Sequence, residues 1–125
     1  MPWYELMVQT DFSASHALRG YPGDCARLHG HNWKVELYLK CTELNEIGIA
    51  IDYKVLKQAL KDAISEWDHY HLNDIPPFDR INPSSENVAR ILYEKVASRL
   101  DNVHIHVSRL VIGETCSTRV TYWPE

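Results

Sequence analysis

Three histidines and a cysteine are spaced for metal chemistry. His29-Gly30-His31 forms a His-x-His pair, Cys25 lies four residues before it, and His16 lies upstream. On an extended strand the side chains alternate, so both imidazoles of the pair share one face. The glycine between them lets the backbone approach a neighbour closely. With His16 on a strand paired opposite, three neutral nitrogens converge on one point. Such a trihistidine site with an open fourth position suits catalytic zinc. Cys25 then has two roles open to it. It is either a fourth ligand that closes the site, or a thiol whose thiolate is favoured by the nearby positive charge. Its spacing to His29 matches no common structural zinc knuckle, which favours the second role.

Other residues offer acid–base chemistry. Asp68 and His69, in Trp67-Asp68-His69-Tyr70-His71-Leu72-Asn73, form a carboxylate–imidazole pair able to hold or relay a proton. Helix-terminal histidines favoured by the dipole are the plain alternative. His71 reads as a structural or surface residue. His104 and His106 also alternate, but no third ligand lies near them in sequence, so they read as a polar sheet face. Glu114 follows a strongly apolar strand, where a carboxylate needs partners. A side-by-side pair of N–H donors on a ligand ring, as in an amino-pyrimidinone, is one such partner.

These residues must be positioned by an α+β fold. Residues 3–16 read as a strand, with Tyr4, Leu6, Val8, Thr10 and Phe12 on one face. A turn-rich loop from Arg19 to Asp24 follows, then a second strand over about 28–42 with Val35, Leu37 and Leu39 on one side. The period then becomes helical. Val55, Leu56, Ala59, Leu60, Ala63, Ile64 and Trp67 predict a helix over 53–67, capped by Asp52. After a loop over 74–83, a second helix starts at Ser84 or Ser85, with Glu86 in its first turn and Val88, Ile91, Leu92, Val96 and Leu100 as its buried stripe. A strand returns over 103–114. Its alternation holds only to Ser108, which predicts a bulge or a more buried end. A last strand covers about 117–123. The expected architecture is a four-stranded antiparallel sheet, order ββααββ, with two helices on one face. Its two open edges need covering, which predicts oligomerisation through the sheet.

Composition narrows the class. The chain has 125 residues, enough for one domain over 1–125. A net charge of −4 gives no electrostatic footprint for nucleic acid. No apolar run approaches the roughly 20 residues of a membrane span, and no basic-then-apolar leader begins the chain. Three cysteines, Cys25, Cys41 and Cys116, form no disulfide framework. A reducing, cytoplasmic setting is expected.

The ordered segments Phe12-Ser13-Ala14-Ser15-His16, Cys25-Ala26-Arg27-Leu28-His29-Gly30-His31-Asn32, Ile51-Asp52-Tyr53, Asp68 to Asn73, Pro83-Ser84-Ser85-Glu86-Asn87 and Glu114-Thr115 together resemble the 6-pyruvoyltetrahydropterin synthase family. Three residues separate Cys25 from His29, as in its bacterial queuosine-pathway branch, which makes 6-carboxytetrahydropterin. The resemblance implies the tunnelling fold, in which sheets join around a trimer and two trimers stack into a homohexamer with interfacial active sites. It implies one zinc per subunit, held by His16, His29 and His31, with Cys25, Asp68 and His69 as the catalytic triad. Glu114 would anchor the pterin ring, and Ser84, Ser85 and Glu86 would line its pocket. Ser84 stands where threonine is common, Trp33 where tyrosine is, and Val120 where alanine is; none of these positions carries an expected catalytic role.

The implied substrate is 7,8-dihydroneopterin triphosphate, converted to 6-carboxytetrahydropterin, acetaldehyde and triphosphate. Pyruvoyl formation without carbon–carbon cleavage is the alternative in the same fold. A non-catalytic zinc- or pterin-binding protein and a generic zinc hydrolase are alternatives of other classes. Arg19, Arg27 and Lys54 are candidate triphosphate ligands, among which the sequence does not choose.

Overall fold

The computed structural model describes residues 2–125, with Cys25 described by its backbone alone. Strands β1 (Tyr4–His16) and β2 (His29–Cys41) form one long antiparallel pair. Their register runs without a break from Tyr4 opposite Cys41 to His16 opposite His29. Alternation then decides the faces. Val8, Phe12, Ala14 and His16 of β1 are buried on the same side as Trp33, Val35, Leu37 and Leu39 of β2. A slip of one residue would turn this whole set to solvent, so burial fixes the register.

Helix α1 (Tyr53–Ile64) starts where the side chain of Asp52 accepts from the Lys54 N–H. It buries Leu56, Ala59, Leu60, Ala63 and Ile64. It ends three residues earlier than the apolar stripe predicts. The chain turns after Ile64, and this turn carries Trp67 back into the core, where it is 1% exposed and packs on Phe78. Val55, expected in the stripe, faces solvent instead.

Strand β3 (Tyr70–His71) follows, then helix α2 (Ser85–Leu100), strand β4 (Ile105–Gly113) and strand β5 (Val120–Tyr122). Ser84 caps α2 by accepting from the Asn87 N–H. Val88, Leu92, Val96 and Leu100 are buried as expected, together with Ala89. Ile91 is only partly buried against the core.

The strand order is β3-β1-β2-β4-β5, and both helices pack on one face. The expected α+β architecture is therefore present, with one addition. β3 pairs in parallel with Ala14 and Ser15 of β1. Two residues carry no periodic signal, so sequence patterning misses such a strand. The bulge expected near Ser108 lies between β2 and β4. Tyr38 pairs with Arg109 and the next residue, Leu39, with Val107, which leaves Ser108 as the extra residue. Beyond it, Leu110, Val111, Ile112 and Gly113 are all buried. Among the described residues no helix is long and apolar enough to cross a membrane.

Candidate metal centre and active site

The paired ends of β1 and β2 bring the three histidines together. His16 sits opposite His29, and His31 lies two residues further along β2 on the same face. The ring centroids are 4.5 Å apart for His16 and His29, 5.2 Å for His16 and His31, and 4.9 Å for His29 and His31. Glu114, just past the end of β4, completes the cluster. One ligand atom from each of His16, His29, His31 and Glu114 lies within 4.8 Å of all the others.

Backbone carbonyls set two of the tautomers. His16 Nδ1 lies 2.7 Å from the Pro83 carbonyl, and His29 Nδ1 lies 2.7 Å from the Arg27 carbonyl. A carbonyl only accepts, so each Nδ1 carries the proton. In the neutral form of either ring the lone pair is then on Nε2. This second contact is the usual device that orients metal-ligating histidines.

His16 Nε2 lies 3.0 Å from Glu114 Oε1, and His31 Nε2 lies 3.7 Å from the same oxygen. Both Nε2 atoms are buried without a hydrogen-bond partner among the described residues. The 3.0 Å approach is thus a contact between two acceptors rather than a bond. Burial of such atoms is costly unless something compensates them. Protonation of the rings is opposed. Burial, the largest influence, pushes the pKa of both His16 and His31 below the ordinary histidine value; the carboxylate of Glu114 partly offsets this in both, and the Pro83 contact does so in His16. A metal cation held among the ring nitrogens of His16, His29 and His31 would satisfy the two Nε2 atoms and offset the negative charge of Glu114 beside them.

Trp33 forms a wall of this centre. It is fully buried, its ring lies 4.9 Å from His16 and 5.7 Å from His31, and it stacks on Phe12 at 5.8 Å. Its Nε1–H donates to the Ala14 carbonyl. Trp33 thus contacts two of the histidines, a part the sequence did not give it. The Pro83 and Arg27 carbonyls were also missed, because a backbone group leaves no residue-type signal.

Asp68 and His69 lie elsewhere, at the β3 edge of the sheet. Asp68 Oδ1 is 3.0 Å from His69 Nδ1 and accepts from the Ser13 N–H at 2.9 Å. The His69 N–H donates to the Ser13 carbonyl. These contacts hold His69 at φ 70°, in the left-handed region that side chains rarely adopt. His69 is 79% exposed. His69 borders an open groove of about 540 Å³ that also reaches Ser15, His31 and Asn32. His71 is structural, with Nδ1 3.0 Å from Ser15 Oγ.

Ser84, Ser85 and Glu86 directly follow Pro83, whose carbonyl contacts His16, and they form the N-cap and first turn of α2. Ser85 Oγ donates to Glu86 Oε1 at 3.2 Å. Cys25 lies in a one-turn 3-10 helix, Asp24–Ala26, on the loop leading into His29; its side chain is outside the described residues. Of the triphosphate candidates, Arg19 is committed to the fold. Its guanidinium donates to the Phe78 and Ile81 carbonyls. Arg27 and Lys54 are exposed. His104 and His106 are exposed on the sheet, as expected.

The fold and the centre define a tunnelling-fold protein with a histidine-rich group able to hold a metal ion at one end of its sheet. Residues 5–125 match the 6-pyruvoyl tetrahydropterin synthase family, and the chain belongs to that family. It is 30% identical to a 6-carboxy-5,6,7,8-tetrahydropterin synthase of Synechocystis sp., over 90% of this chain and 87% of the relative. It is also 30% identical to the Bacillus subtilis protein of the same name, over 98% and 86%. The structure of Caenorhabditis elegans 6-pyruvoyl tetrahydropterin synthase superposes with a TM-score of 0.87 at 28% identity, covering 100% of this chain and 98% of that one.

Proposed function

We propose that this protein is a zinc-dependent 6-carboxytetrahydropterin synthase of queuosine biosynthesis, a cytoplasmic homohexamer of two stacked trimers. It converts 7,8-dihydroneopterin triphosphate to 6-carboxytetrahydropterin, acetaldehyde and triphosphate. One observation carries the chemistry: the imidazoles of His16 and His29 donate through Nδ1 to backbone carbonyls, which leaves Nε2 of each free to meet a common point with His31 and Glu114. The shared name of the bacterial relatives supports the carboxy product.

Zinc held by His16, His29 and His31 supplies Lewis acidity toward the hydroxyls of the substrate side chain. The remaining tasks fall to this chain's own groups. Glu114 accepts the adjacent N–H donors of the pterin ring when substrate is bound, a charge-assisted pair of bonds that fixes ring orientation. Ser84, Ser85 and Glu86 line the pocket beside it. Cys25, as thiolate, removes a proton from the substrate side chain. His69, held by Asp68, moves protons on the other side. That pair is exposed at the β3 edge, so it serves a centre completed by a neighbouring subunit.

The test is mass spectrometry of the product formed from 7,8-dihydroneopterin triphosphate by zinc-loaded protein. A 6-carboxytetrahydropterin peak with acetaldehyde is expected. A pyruvoyl product would support the second reading, which the likeness to the nematode enzyme favours. No turnover with zinc bound would leave a binding protein.

A further inference from the structure

The six residues between β4 and β5, 114–119, carry Glu114 at their start and Arg119 at their end. Arg119 folds back over this loop. Its Nη1 donates to the Thr115 carbonyl at 2.9 Å and the Thr118 carbonyl at 2.8 Å. The loop is further tied by Thr115 Oγ1 and Thr118 Oγ1, 2.8 Å apart.

The guanidinium rests on Gly113, the last residue of β4. A Cβ at position 113 would lie 2.5 Å from Arg119 Nη1 and 2.9 Å from its Cζ. No side chain fits there while Arg119 keeps its place. Gly113 pairs with Lys34, which is exposed, whereas the neighbouring Trp33 and Val35 are buried on the helix-covered side. Arg119 accordingly lies on the polar face of the sheet, beside Asp11 and Glu36. The Glu114 carboxylate reaches His16 on the helix-covered side. Glu114 is thus held on its N-terminal side by strand pairing and on its C-terminal side by the Arg119 contact to Thr115.

We propose that Arg119, seated on Gly113, is a positioning residue that fixes the Glu114 carboxylate for pterin binding. It acts through the loop backbone. A displacement of about 1 Å in such a supporting group is enough to cost up to about a hundredfold in function. The inference rests on Glu114 as the ring anchor. It also makes Gly113→Ala equivalent to Arg119→Ala, because the added methyl displaces the end of a flexible side chain and leaves the strand intact.

The test is a double-mutant cycle on whole zinc-loaded protein, with neopterin as the ring probe and binding read by fluorescence. Zinc content and melting temperature are followed in parallel. Arg119→Ala and Gly113→Ala should each weaken neopterin binding about tenfold with zinc content unchanged, and Arg119→Lys should recover part of the loss. In a Glu114→Gln background, Arg119→Ala should add nothing further. An additive loss, or undiminished binding in both Arg119→Ala and Gly113→Ala, would overturn the positioning role. Undiminished binding in Glu114→Gln alone would instead remove the anchor on which the inference rests. Should Arg119→Ala fail to fold, Gly113→Ala and Arg119→Lys carry the same comparison.

Discussion

The Pro83 carbonyl oxygen lies 2.7 Å from His16 Nδ1, and this contact ties the start of α2 to the metal centre. The carbonyl is itself held in place. Asn82 accepts from the Arg19 N–H and donates to the Arg19 carbonyl, and Asn87 Nδ2 donates to the Asn82 carbonyl. Outer contacts of this kind typically account for about 10- to 100-fold in metal affinity. Asn82→Ala should therefore weaken zinc binding by about tenfold, although Asn82 touches no ligand. Competition with a chelator of known affinity measures it. Unchanged affinity would mean that Pro83 stays in place without the asparagine pair.

Direct ligands should behave differently. His31→Ala removes one of the three converging imidazoles and leaves only those of His16 and His29. Zinc should be lost together with activity, and elemental analysis of purified protein reads this directly. Full zinc occupancy in His31→Ala would count against ligation. By contrast, Cys25→Ala should retain zinc and lose about a hundredfold or more in turnover, the usual contribution of a positioned acid or base. If zinc left with the thiol, Cys25 would be a ligand.

Trp33 couples the core to the centre. It is fully buried, stacked on Phe12 and set against His16 and His31. Trp33→Ala should cost about 3–5 kcal/mol, the usual range for emptying a large aromatic site. Zinc should partly restore the loss, because a ligand bound only by the folded state adds stability by mass action. Thermal melts with and without zinc separate the two effects. A loss below about 1 kcal/mol would show that the core closes over the gap.

Much of this was legible in the sequence because it follows from period. Strand alternation placed His29 and His31 on one face, and the helical stripe found α1 and α2. Ser108 announced the bulge by breaking the alternation. What sequence could not show depends on groups without a residue-type signal. Carbonyl oxygens of Pro83 and Arg27 set the histidine tautomers. Glu114 reaches His16 across 98 residues of chain, through the pairing of β2 with both β1 and β4. Arg19 looked like an anion ligand by charge alone, yet its guanidinium is occupied by the Phe78 and Ile81 carbonyls.

Acid should strip the centre before it unfolds the core. Burial depresses the folded-state pKa of His16 and His31 below the ordinary value of 6.5. In the unfolded chain the same rings take up protons as pH falls through about 6.5. The unfolded state then binds more protons than the folded one, so stability rises with pH in this window and falls on acidification. The stabilisation is fully present above about 6.5. Metal sharpens the dependence, since ligation requires neutral imidazole and protons compete for Nε2. Melting temperatures of metal-free protein should fall from pH 7.5 to 5.5, and those of zinc-loaded protein should fall more steeply. Replacing His16 with glutamine should flatten both slopes. A melting temperature that is level or rises on acidification across this range would contradict the burial of neutral rings.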